Sequence, residues 1–93
     1  LYYYVLQYPE WEREFLAGRK TPEELEKLRA KMDQIDILCL MTEEGLAEYI
    51  RAGVVWKDMT YTKLKSVFGI PCDRNTYYKY RRKFYWLLDK KKD

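Results

Sequence analysis

The segment from Asp73 to Lys90 constrains this chain most, because its apolar and cationic residues recur with the period of a helix and separate onto opposite sides. At about 100° per residue, Tyr77, Tyr80, Phe84, Leu87 and Leu88 fall within an arc of about 100°. Such a stripe is stable in water only when another element covers it, so the segment predicts a helix that lies on a core. Asn75, Tyr78, Lys79, Arg82 and Lys83 fall about 100° to 240° away, on the outer side, and Trp86 joins them there. Arg81 sits at the inner edge, where its aliphatic stem can cover apolar surface while the guanidinium stays in water. Asp73 is placed to cap this helix near Arg74. Ile70-Pro71-Cys72 is expected to be extended, since the residue before a proline is driven out of helical conformation.

The remaining chain carries further helix signals and no credible strand alternation. Thr21-Pro22-Glu23-Glu24 combines a cap, a proline at the first helical position and a glutamate three residues after the cap. Leu25, Leu28, Met32, Ile35 and Cys39 follow at steps of 3 and 4, giving one apolar stripe. Trp11, Phe15 and Leu16 suit one face of a short helix that Pro9 opens and Gly18 closes. Thr42, followed by two glutamates, predicts a separate helix ending near Gly53, with Leu46, Tyr49 and Ile50 inward. Gly45 weakens a continuous alternative by about 1 kcal/mol relative to alanine. Val54 to Asp58 is expected to connect, and Thr60 or Thr62 to cap a helix whose buried face is Leu64, Val67 and Phe68 and which Gly69 stops. The fold class is therefore all-α: about five helices in one domain, with residues 1–56 as a packing or oligomerisation segment and 57–93 as a C-terminal two-helix unit.

Composition narrows the function. Residues 1–56 hold seven Lys/Arg and eleven Asp/Glu, a net of −4, and residues 57–93 hold eleven and four, a net of +7. A segregated positive surface suits a polyanionic partner. No histidine is present, which removes the commonest general base and metal ligand. Cys39 and Cys72 stand alone, short of a four-ligand zinc site, and are expected as free thiols in a reducing cytoplasm. The glutamate pairs at 23/24 and 43/44 stand at helix starts, where the helix dipole favours them without chemistry. No glycine-rich phosphate loop or nucleophile-base pair is recognisable, so neither an enzyme nor a cofactor is expected. No run approaches the ~20 apolar residues of a membrane span, and Leu1–Leu6 is too short and too tyrosine-rich for a secretory signal core.

The order of short capped helix "TYTKLKSVFGI", tight turn and basic capped helix "RNTYYKYRRKFYWLL" is that of a helix-turn-helix. Residues 43–88 resemble the region-4-type helix-turn-helix of bacterial sigma factors, and more closely phage transcriptional regulators of the ArpU/RinA kind. Lys65 stands where that pattern usually has a small residue, and the turn from Gly69 to Asp73 is longer. The resemblance implies a DNA-binding regulator from a phage or mobile element whose partner is double-stranded DNA, with RNA polymerase or another protein as a further possible partner. It carries base-reading roles to Arg74, Asn75, Tyr78, Lys79 and Arg82, and phosphate contacts to Thr60, Thr62 and Lys63; Lys83, on the same exposed basic face, is a further phosphate candidate. A competing expectation is a helical protein-interaction module, as a homo-oligomer or with another protein, that uses Trp86 or Tyr2 to Tyr4 as interface anchors.

Overall fold

A computed structural model describes residues 2–92, with backbone alone for Tyr2 and Lys92; the side chain of Tyr2, one of the expected interface rings, lies outside the described residues. The described residues form α1 (Tyr2–Leu6), α2 (Tyr8–Ala17), α3 (Pro22–Thr42), a 3-10 turn (Glu44–Leu46), α4 (Ala47–Val55), α5 (Tyr61–Phe68) and α6 (Arg74–Lys92), and no strand. The all-α expectation holds, with α1 as an additional short helix in the tyrosine-rich start.

The long helix α3 begins as its sequence dictates. The Thr21 hydroxyl accepts from the Glu24 amide at 3.2 Å, and the Glu24 carboxylate accepts from the Thr21 amide at 3.0 Å. These reciprocal bonds satisfy two amides that the first turn otherwise leaves unpaired, and they hold the Glu24 carboxyl below its ordinary range.

Against α3 pack α2, α4 and the second half of α6, around a core that includes Val5, Tyr8, Trp11, Leu28, Ile35, Leu38, Ile50, Val54, Phe84 and Leu88. The stripe expected on α3 is shifted slightly: Leu28, Ile35 and Cys39 are buried, Leu25 and Met32 only partly, and Leu38 joins them. On α2, Trp11 is buried and Phe15 half-buried, whereas Leu16 is exposed, because the helix rests on α3 through its first turns. Tyr4 and Tyr8 serve packing, Tyr4 meeting the Trp11 ring edge-on at 5.1 Å and donating to Gln34 Oε1 at 3.0 Å. Tyr8 donates to Asp36 at 3.0 Å, and Arg51 reaches both Tyr8 (3.3 Å) and Asp36 (3.4 Å), tying α2, α3 and α4 together. Burial, then the neighbouring Asp36 carboxylate, pushes the Tyr8 phenol up to about 12.

Two expected boundaries move. Thr42 does not cap a new helix: it is the buried last residue of α3, and its hydroxyl donates to the Leu38 carbonyl at 2.7 Å. Glu43 takes the cap role instead, accepting from the Gly45 amide. Gly53 does not end α4, which runs on so that Val54 and Val55 reach the core rather than a connector. The glycine is there for room. A Cβ at Gly53 would stand 1.9 Å from the Tyr77 hydroxyl oxygen and 3.2 Å from Leu64 Cδ1.

Candidate nucleic-acid interface

Gly53 marks the centre of a second, smaller core, in which Leu64 of α5, Ile70 of the connection and Tyr77 of α6 are fully buried. Tyr49, Ala52, Tyr61 and Tyr78 cover it. The phenol of Tyr77 is enclosed so closely that burial pushes its pKa up to about 12, and its hydroxyl has no hydrogen-bond partner among the described residues.

The connection between α5 and α6 is set by local chemistry at each residue. Gly69 ends α5 at φ 66°, a left-handed conformation that penalises any Cβ, and its amide donates to the Lys65 carbonyl. Lys65 turns its ammonium onto the Ile70 carbonyl at 3.2 Å. The Tyr61 hydroxyl donates to the Cys72 carbonyl at 2.5 Å. Asp73 then caps α6 by accepting from the Thr76 amide at 2.8 Å, and the Thr76 hydroxyl, followed by this amide bond, holds its carboxyl below the ordinary aspartate range. Bonds at Gly69, Ile70, Cys72 and Asp73 thus hold the turn along its length.

Of the residues expected to read bases, Asn75, Lys79 and Arg82 are exposed along one side of α6. Neither Asn75 nor Arg82 has a hydrogen-bond or ion-pair partner among the described residues, so their polar groups face water. Lys79 lies with its ammonium 5.6 Å from the Tyr80 ring centre. Tyr78 is half-buried, its ring edge-on to Tyr77 at 5.0 Å. Arg74 is exposed but engaged: it donates to the Thr62 hydroxyl at 3.1 Å and lies 5.6 Å from the Tyr61 ring centre, bracing the start of α6 against α5.

The phosphate candidates divide in the same way. Thr60 caps α5 by accepting from the Lys63 amide at 3.2 Å, and Thr62 is within the helix as Arg74's acceptor. Both hydroxyls keep their own proton to donate. Lys63 is exposed beside them. Lys83 instead donates to the Thr42 carbonyl at 3.1 Å, closing the C-terminal end of α3. Trp86 continues the outer stripe of α6 and is 56 % exposed, with the Lys90 ammonium 4.3 Å above its ring.

Two features were not foreseen. Val67 and Phe68 were expected in the core, yet they are 68 % and 48 % exposed, because α5 is only eight residues long and Leu64 alone fills the space it meets. Phe68 and Trp56 instead line a surface cleft with residues of α2 and α4. Spacing within α5 could not reveal this, since how far Phe68 is covered is decided by residues of α2 and α4 elsewhere in the chain. Among the described residues no cluster of three or more acidic or thiol side chains is placed to hold a metal ion, and no helix is long and apolar enough to cross a membrane. Both cysteines are free thiols, Cys39 buried and Cys72 half-buried. Comparison with protein-family models, with curated proteins and with solved structures finds no match.

Proposed function

We propose that this chain binds duplex DNA sequence-specifically, as a transcriptional regulator of phage or mobile-element type, with α5 and α6 acting as a helix-turn-helix. The observation that carries this reading is the outer stripe of α6, where Asn75 and Arg82 present unpaired polar groups from a helix held rigidly at its start. A helix fits the major groove, where arginine pairs with the N7 and O6 of guanine and asparagine with the N7 and N6 of adenine. Lys79 adds a cation between them. The start of α5 supplies Thr60, Thr62 and Lys63 to adjacent phosphates, and Arg74 stands close enough to Thr62 to join them. Lys83 is proposed as structural, since its ammonium is already bound to α3.

The activity is binding without catalysis, cofactor or metal, in a reducing cytoplasm that suits two free thiols. A selection from random duplexes with the purified chain, repeated at two salt concentrations, tests the proposal. An enriched site should emerge, with affinity falling steeply as salt rises, since each neutralised phosphate contributes a log-log slope of about −0.9. An unenriched pool together with undetectable binding at moderate salt would reject it. The alternative, an interaction module without DNA affinity, draws on exposed Trp86, and a stable complex with an acidic protein in place of DNA would favour it.

A further inference from the structure

We infer that the furrow between α2, α4 and the end of α5 docks a basic amphipathic helix of a second protein. This goes beyond DNA binding and does not depend on it, since no residue of α6 lines the furrow. One part is a cleft of about 230 Å³ that reaches from Tyr8 on α2 to Phe68 on α5. A second concavity continues along α2 to Leu16. Pro9, Glu12 and Trp56 line both, so the two form one channel. Leu16, Trp56 and Phe68 are 78 %, 52 % and 48 % exposed. Single exposed apolar side chains are ordinary on a protein surface, whereas several converging on one concavity mark an interaction site.

Charge identifies the occupant. Arg51, at the cleft wall, is already engaged by Asp36 and Tyr8. Arg13, at the other end, is engaged by Glu10. Glu12 and Glu48, both exposed, have no ion-pair partner among the described residues, so the channel carries uncompensated negative charge beside its apolar floor. A nucleic acid is repelled there. A partner that fits brings apolar anchors flanked by lysine or arginine. The channel follows α2 from Tyr8 to Leu16 and has Phe68 at its other end, so its apolar side chains lie in a row, and a helix laid in the groove, its anchors spaced by three or four residues, matches that row.

The test uses the full chain and two synthetic helices of about four turns, each with leucine and tryptophan anchors on one face. One carries lysines at the flanking positions and its twin carries glutamates. Binding is followed by the indole N–H resonance of Trp56, and the chain's mass in solution is measured at the same concentration. The lysine peptide should shift that resonance with a dissociation constant on the order of 10–100 µM, at least about tenfold tighter than its twin. Glu12→Lys combined with Glu48→Lys, both at exposed positions, should leave the thermal midpoint unchanged and reverse the preference. Equal binding of both peptides, or binding of neither, would overturn the inference. So would self-association of the chain that shelters Trp56 and is lost in the double variant, because the occupant would then be a second copy.

Discussion

The two halves of α6 rest on different foundations. Phe84 and Leu88, in its second half, are buried in the large core with residues of α1 to α4, whereas Tyr77, near its start, is buried in the small core with Leu64 and Ile70. The basic face belongs to the half with fewer buried supports. Where burial is thin, position depends on local bonds, and here they are dense: the Asp73 cap, the Tyr61 and Lys65 bonds across the connection, and the Arg74 brace. The small core is therefore a positioning device, and the large core is the main source of stability.

That contrast can be broken by core truncation. Phe84→Ala should cost about 3–5 kcal/mol and, in a domain with a margin of roughly 5–15 kcal/mol, weaken every element together. Leu64→Ala should cost about 2–4 kcal/mol, with amide exchange accelerating in α5 and the start of α6 well before α3. Equal acceleration in α3 would mean that the two cores are one cooperative unit.

Gly53→Ala probes the contact between α4 and Tyr77. The added methyl overlaps the phenol, so destabilisation of about 1–3 kcal/mol is expected in denaturant unfolding. Tyr77→Phe alone should raise stability by about 1 kcal/mol, because it removes a buried hydroxyl without a partner. In the double variant the loss should shrink but not vanish, since the ring carbon Cζ would still lie 2.9 Å from the new methyl. Strict additivity would show that the hydroxyl is not what Gly53 makes room for.

A smaller effect is expected at the caps. Asp73→Ala should cost about 1 kcal/mol, felt at the start of α6 more than at its end. The folded-state pKa of Asp73 lies below 3.8, its unfolded reference, so the cap is fully stabilising above that value and is lost as pH falls through the lower folded value. Glu24, depressed below 4.5 by its bonds to Thr21, behaves alike at the start of α3. An acid titration of the Asp73→Ala variant should therefore be flatter below pH 3.8 than that of the parent chain.

Much of this arrangement was legible in the sequence because it is local. The capping box at Thr21, the cap at Asp73 and the stop at Gly69 all act within a few residues, and each stands where residue type and spacing placed it; for α5 the sequence left Thr60 and Thr62 open as caps, and the structure uses Thr60. The α6 stripe was equally legible, since a nineteen-residue helix samples its period several times. What failed was decided by distant neighbours. Phe68 and Leu16 look buried by spacing but stand 48 % and 78 % exposed, and Gly53 looks like a terminator although its role is set by Tyr77, far along the chain. Arg74 and Lys83 are cationic in sequence in the same way as Arg82. Only the fold reveals that Arg74 is tied to Thr62 and Lys83 to Thr42, whereas Arg82 has no such tie among the described residues.

Arg82→Ala should have the smallest effect on folding and so gives the most direct test of DNA binding through the outer face of α6. Its thermal unfolding should match the parent within about 0.5 kcal/mol. Its affinity for a selected duplex, measured by fluorescence anisotropy at fixed salt, should fall by about 1–3 kcal/mol, with relaxed preference at one base position. Unchanged affinity in a variant of unchanged stability would contradict the account.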